Sequence, residues 1–451
     1  MSKQIGGRAV VIGAGIGGLA AGGALAPFFR QVVILERDRL PDVAEARAGT
    51  AQGRHTHGLL AGGLKALNEI FPGYRQALVE AGAIPIRAAQ DVRFERADVG
   101  ALPQRDLGIS YLCASRPLIE LVLRRQLESF ANVEIWPECK VTGILSVKLA
   151  GAVHGVRFDM KSGEAELLHA DLIVDASGRP TLTIALLESL GLKPPAVTEI
   201  GVDINYATAV IDIPAQAAHD WKMVLTQPDP PKPARYGVLI PVESGRWMVT
   251  ICRHGDVERL DSWDKFLRAF RELITPTIYD ALRPGKPVGE LRHYGFPASS
   301  WRHFEKSAHL PRGLLPIADS LCRFNPIHGQ GMSSAALQAR LLRDALERAS
   351  VATDPIPVLQ ADFLGEVGTL LETPWGMSAT ADLAFPDTRG VRPEGFEENF
   401  RRAAATFRAA VADPMVHRAM VEVAQLLAPR TLLREPDIAR RIEEANANAM
   451  A

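Results

Sequence analysis

Gly13, Gly15 and Gly18 stand in G-x-G-x-x-G spacing between a continuous apolar run at 8–12 and an alanine-rich stretch, and Glu36 closes a second, β-branched run at 31–35. This residue set suits the pyrophosphate of a dinucleotide. A glycine at 13 permits the tight turn out of a buried strand, one at 15 lets a phosphate approach the backbone, and one at 18 lets the following helix pack closely on that strand. The free N–H groups of the helix N-terminus face the phosphates, and the Glu36 carboxylate stands where a ribose diol would donate to it. The uncharged run 9–29, preceded by Lys3 and Arg8, has the length of a membrane span or a signal. Its many glycines, its Pro27 and the following acid-terminated strand make it instead the strand, turn and helix of a soluble protein.

His55 and His57 flank Thr56 in the polar stretch 37–57, and on an extended segment their side chains would face the same side. Such a pair could begin a metal site, but no third ligand stands at suitable spacing, so no metal is predicted. His57 is instead a candidate for shaping an active site, and Arg54 for contacting a ligand or a surface acid. His328 lies beside Gly329 in a second loop, 325–331, that runs into a helix. The sequence shows no nucleophilic triad and no paired carboxylates. Lys plus Arg number 51 against 52 Asp plus Glu, which leaves neither a basic field for nucleic acid nor an acidic tail. Cys113, Cys139, Cys252 and Cys322 are widely spaced without C-x-x-C, as expected for reduced thiols in a cytoplasmic protein.

The elements that must position these residues follow from periodicity. The 451 residues have room for two or three structural units. An amphipathic helix is predicted over 59–70, stopped by Pro72 and Gly73, and a stronger one over 116–130, with Pro117 near its start. Segments 90–95 and 108–114 read as two strands around a Gly/Pro turn. Residues 133–175 read as a β-meander ending in LIVDASGRP, followed by a helix to Leu190. From 198 to 294 longer alternating runs imply an antiparallel sheet with one face covered, interrupted by a helix at 264–282. This is the candidate substrate domain. A short apolar run at 312–317 leads to Asp319, and the last hundred residues are helical, with breaks around 386–395. Trp247, Phe296, Trp301 and Trp375 read as core, while alternation leaves open which face Asp203 and Asn205 occupy.

Three separated motifs now agree: GAGIGG at 13–18 with Glu36, LIVDASGR at 172–179, and ADSLCRFNPIHGQG at 318–331. In this order and spacing they resemble the FAD-dependent enzymes of the aromatic-hydroxylase (p-hydroxybenzoate hydroxylase-like) superfamily. The stretches QGRHTHGLLAGGL and FNPIHGQGM are most similar to a bacterial squalene-epoxidase-like branch that contains polyether-type olefin epoxidases. The resemblance covers about residues 5–350. It implies an α/β fold: a Rossmann-like FAD-binding domain (1–89, 108–197 and 312–350), an inserted antiparallel-sheet substrate domain (90–107 and 198–311) and a C-terminal helical region (351–451). It places FAD against Gly13, Gly15, Ile16, Gly17, Gly18, Glu36, Arg37, Arg54, Arg116, Val141 and Asp319, with Asn325, Pro326, Gly329, Gln330, Gly331 and Met332 beneath the isoalloxazine ring. It brings His57 and His328 close to the flavin as candidate catalytic residues.

Two departures refine the reading. Ser177 precedes Gly178 where single-component hydroxylases carry an aspartate linked to NADPH binding, and no second G-x-G-x-x-G is present. NADH or NADPH is therefore expected to deliver electrons either directly or through a flavin reductase partner. No tryptophan stands in the Trp-x-Trp-x-Ile pattern of halogenases. The resemblance thus implies a monooxygenase that passes one oxygen atom of O2 from a C4a-hydroperoxyflavin to an apolar aromatic or olefinic small molecule. A reductase or dehydrogenase of an isoprenoid or polyketide, or a redox-neutral FAD-binding protein, are the alternatives.

Overall fold

The computed structural model describes residues 4–147, 151–214, 219–232, 235–255, 259–307 and 309–450. Its first layer is a five-stranded, all-parallel sheet in the order Leu314–Pro316, Leu172–Asp175, Gly6–Ile12, Phe29–Leu35, Val133–Trp136. These strands are apolar throughout because both faces are covered, as parallel sheets require. The helix Ile16–Leu25 packs on one face between the helices Arg116–Leu127 and Gly331–Ala349. All of its residues are buried, which explains why the sequence there carries no charge.

The predicted meander of 133–175 is smaller than expected. Only Cys139–Val147, Ala152–Met160 and Ala165–His169 form the antiparallel unit, and the flanking Val133–Trp136 and Leu172–Asp175 join the parallel sheet. Alternation cannot tell a hairpin partner from a crossover partner. Likewise, Val92–Arg96 and Ser110–Cys113 are both strands but lie in different sheets. The helix expected at 264–282 is split at Pro276 into Trp263–Ala269 and Thr277–Leu282, joined by a short 3-10 turn.

The second large sheet has eight strands: Cys322–Arg323, Arg292–Arg302, Val197–Asp212, Arg246–His254, Tyr236–Val242, Met223–Thr226, Val92–Arg96 and Gly100–Ala101. One pairing, Met223–Thr226 with Val92–Arg96, is parallel and the others are antiparallel. One face of its centre packs on Phe266, Phe270 and Ile278 of the interrupting helices. The opposite face looks toward the C-terminal helices Pro355–Asp382, Phe396–Ala412 and Pro414–Ala424. Asp203 pairs with Arg389 at an exposed register break within its strand, and Asn205 donates to Gly255 O at 2.8 Å. The four cysteines are free and buried. Among the described residues, no helix is long and apolar enough to cross a membrane.

Candidate functional site

The turn after Gly6–Ile12 is shaped by missing side chains. Gly13 has φ +98°, and a Cβ on Gly18 would lie 1.8 Å from Gly13 O. Gly17 faces Ala318, where a Cβ would meet the Ala318 methyl at 2.5 Å. Gly15 differs: nothing lies within 4 Å of the Cβ it lacks, so the turn opens onto free space beside the helix N-terminus. Ile16 is buried behind it. The Glu36 carboxylate accepts from Ala14 N (2.7 Å) and Asp38 N (2.9 Å) and pairs with Arg47 at 3.0 Å. A carboxylate offers about four lone-pair directions, so one remains for a ligand hydroxyl. Arg47, which no motif marked, also reaches Asp38 and Glu120. Burial opposes its charge, but those three carboxylates outweigh burial and hold its pKa above the ordinary value.

Two charged side chains stand beyond this turn. Arg116 opens the helix Arg116–Leu127, whose N-cap is Ser115 Oγ, accepting from Leu118 N at 3.3 Å. Its guanidinium is buried, its Nε has no partner, and desolvation pushes its pKa down. Asp319 follows the short strand Leu314–Pro316; burial raises its pKa, opposed by the charges of Arg116 and Arg323. The Arg37 and Arg54 side chains are exposed. Val141 sits on the meander beside Trp136, away from the cavity described below.

The segment 55–57 is fastened to the middle of the large sheet. His55 Nδ1 lies 2.7 Å from Thr208 Oγ1, and Thr56 Oγ1 bonds Thr250 Oγ1 at 3.1 Å. His57 Nδ1 donates to His55 O at 2.8 Å, so its Nε2 is left as the acceptor. Burial first, then the Arg116 charge, lower the His57 pKa to about 3; burial, His293 and Arg54 lower that of His55 to about 4. Both rings are neutral at pH 7.

The loop 325–331 is held from two sides. Tyr206 OH donates to Asn325 Oδ1 at 2.7 Å and accepts from Ile327 N at 3.0 Å. Asp382, buried at the end of Pro355–Asp382, accepts through one oxygen from Asn325 Nδ2 (2.9 Å) and His328 Nε2 (2.9 Å). Gln330 Oε1 accepts from Ser378 Oγ at 2.8 Å on the same helix. Gly329 has φ +66°, and nothing lies within 4 Å of the missing Cβ of either Gly329 or Gly331. Met332 is buried in the first turn of the following helix.

These pieces surround one cavity of ≈ 450 Å³. His57 lines one side, Pro326, His328, Gly329 and Gln330 another, and Tyr206 and Tyr294 stand between them. Leu225, Val238 and Ile240 of the large sheet give an apolar floor; Met377, Phe400 and Phe407 of the C-terminal helices close it. Tyr206, Tyr294, Asp382 and the helical wall were not marked by the sequence. Their contacts join remote segments, as Tyr206 to Asn325 and Asp382 to His328, and no local spacing carries that signal.

No protein-family model matches the chain. Protein Rv3254 of Mycobacterium tuberculosis is 32% identical to it over 418 residues, which cover 86% of this chain and 84% of that protein. The chain belongs to the family of Protein Rv3254. The same architecture is found in the flavin-dependent brominase Bmp2, at a TM-score of 0.67 and 13% identity, covering 98% of this chain and 100% of that one. The p-nitrophenol 4-monooxygenase PnpA of Pseudomonas putida DLL-E4 is similar at a TM-score of 0.64 and 18% identity, covering 95% and 99% of the two chains. This member of the Protein Rv3254 family therefore has the fold of the FAD-dependent monooxygenases and halogenases of the p-hydroxybenzoate hydroxylase-like superfamily.

Proposed function

We propose that the protein is an FAD-dependent monooxygenase that inserts one oxygen atom of O2 into an apolar aromatic or olefinic small molecule, by hydroxylation or epoxidation. The observation that carries this reading is the largely apolar cavity whose wall is the open glycine loop 325–331, which follows the edge strand Cys322–Arg323 of the large sheet and runs into a helix packed on the helix of the dinucleotide turn. FAD would be held through its pyrophosphate by Gly13, Gly15 and Gly18, through its ribose by Glu36, through its ribityl chain by Arg116 and Asp319, and along its pyrimidine edge by Gly329, Gln330 and Gly331. The residues present fit such a group. Space is open at Gly15, Gly329 and Gly331, and the buried Arg116 Nε lacks a partner.

Bound FAD supplies the two-electron chemistry that activates O2. The chain's own contribution is electrostatic and steric. The N-terminus of Gly331–Ala349 favours negative charge at the loop. The apolar floor and the helical wall limit the access of water to the cavity. Neutral His57 presents an acceptor nitrogen to a polar group of the substrate, and Asp382 keeps a proton on His328 Nε2, leaving its Nδ1 free. For each oxygen inserted, one NADH or NADPH is consumed and the second oxygen atom leaves as water. Ser177 Oγ lies 2.6 Å from Asp175 Oδ1 and 2.8 Å from Arg179 O, so the residue that replaces the usual aspartate is tied to its own turn. This favours delivery of electrons through a flavin reductase.

The test is the absorbance of the purified protein incubated with FAD, followed anaerobically on adding NADH or NADPH, with and without a flavin reductase. An oxidised-flavin spectrum that bleaches, followed by O2 uptake matched to a product heavier by one oxygen atom, is the expected result. O2-independent product formation would turn the reading to a reductase or dehydrogenase. Failure to retain FAD would overturn it.

A further inference from the structure

We infer that the molecule occupying this cavity carries an anionic group on its apolar body, and that Arg402 and Arg430 receive that group at the end away from the loop 325–331; this rests on the reading of the cavity as the substrate site. Among the described residues lining the cavity there is no aspartate or glutamate, yet four arginines line it: Arg96, Arg402, Arg430 and Arg434. Two of them are satisfied by the protein. Arg96 makes a two-pronged contact with Asp98 (2.9 and 3.1 Å) and lies 4.1 Å over the Phe407 ring, and Arg434 donates to Asn399 Oδ1 at 2.8 Å. The side chains of Arg402 and Arg430 have no hydrogen bond or ion pair with any described residue, and both are half-buried.

The fold makes room for Arg430 at a cost. A Cβ on Gly376, inside the long helix Pro355–Asp382, would lie 1.9 Å from Arg430 Nη1. Glycine in a helix interior gives up about 1 kcal/mol relative to alanine. Arg430 N donates to Thr373 Oγ1 at 3.1 Å, one turn before that glycine, which seats the arginine against the helix. Burial and then the Arg434 charge disfavour the Arg430 cation, and Glu372 only partly opposes them. A half-buried cation repelled by its neighbour is stabilised by an anion. The planar guanidinium fork matches a carboxylate, sulfonate or phosphate with two parallel hydrogen bonds.

The same helix sets the distance from the Arg430 guanidinium to the loop. Gly376 precedes Asp382, which anchors His328, by six residues, so the guanidinium stands roughly 9 Å along the axis from the loop. An acidic head at Arg430 thus leaves a body of one or two rings reaching toward the loop, past the apolar floor.

Calorimetric titration of the FAD-loaded protein with 8-anilinonaphthalene-1-sulfonate, its uncharged sulfonamide, and methanesulfonate tests this. The sulfonate should bind roughly tenfold more tightly than the sulfonamide, and methanesulfonate, lacking the apolar body, far more weakly than either. Arg402→Gln with Arg430→Gln should erase the preference, and Arg430→Lys alone should keep part of it. Gly376→Ala, which favours the helix but displaces the Arg430 guanidinium, should weaken sulfonate binding without lowering the melting temperature. Equal affinities for sulfonate and sulfonamide, methanesulfonate binding as tightly as the aromatic sulfonate, or a preference that survives the double substitution would each overturn the proposal. The titration repeated without added FAD separates the two readings. An arginine-dependent preference in a protein that retains no flavin would leave the anion end standing and sink the monooxygenase reading. A flavin-loaded, O2-consuming protein without the preference would do the reverse.

Discussion

At Gly13, Gly17 and Gly18 the close packing of the dinucleotide turn leaves no room for a side chain, whereas at the loop 325–331 side chains from distant segments do the holding. In the first region Gly18 meets Gly13 O, Gly17 meets the Ala318 methyl, and the geometry follows from the close approach of the main chain to its neighbours. In the second, Tyr206 from the large sheet and Asp382 from the long helix grip Asn325 and His328 through hydrogen bonds of 2.7 to 2.9 Å. Close contact is unforgiving because an added methyl has nowhere to go. A hydrogen-bonded network degrades in steps, because each lost partner costs only the desolvation of the group it leaves behind.

The contrast yields an ordered set of expectations. Gly18→Val should be the most damaging, costing roughly 3 kcal/mol or more and abolishing FAD retention, read by thermal melting and by absorbance near 450 nm. If the variant keeps flavin and melts normally, the turn is less rigid than its contacts imply. Asp382→Ala removes the shared acceptor of Asn325 and His328 and should cost about 2–3 kcal/mol in urea titrations, with Asp382→Asn costing visibly less. Equal losses in the two variants would mean that packing, not the acceptor oxygen, holds the loop.

The histidines give a smaller and pH-dependent effect. His57 is held neutral, at about 3, while an unfolded histidine titrates near 6.5. Between those values the unfolded chain binds the extra proton, so this part of the stability is present above pH 6.5 and is lost as pH falls toward 3. His57→Gln should therefore flatten the stability–pH curve by about 1.4 kcal/mol per pH unit between pH 4 and 6. A slope unchanged by the substitution would place the proton elsewhere, with His55 and His417, both lowered to about 4, as the next residues to replace. The smallest effect belongs to the surface. Arg389→Gln breaks an exposed pair with Asp203 and should leave the melting temperature unchanged within error. A clear drop would give that register break in the sheet a role its exposure does not suggest.

The dinucleotide turn was legible because its chemistry is local. Glycine spacing, an adjacent strand and helix, and an acid at the end of the next strand all fall within thirty residues, and each has a backbone reason to be there. The loop 325–331 was legible for the same reason, since its glycines and the helix after it are contiguous. Less was readable in 133–175, where alternation identified strands but not their partners. Nothing local distinguished Asp382 or Arg430 from the other charges of an amphipathic C-terminal region.

The sequence alone thus determined which segments turn, which are buried on both faces, and where a phosphate-bearing group could approach the main chain, because those properties depend on backbone freedom and short-range periodicity. Tertiary structure decided what faces the loop. It brought Thr208 and Thr250 under the histidine segment, set Tyr206 and Asp382 around Asn325, and left the Arg430 guanidinium over Gly376 without a partner among the described residues. These outcomes depend on which faces of remote elements are pressed together. That is settled by burial across the whole chain rather than by the residues on either side of any one of them.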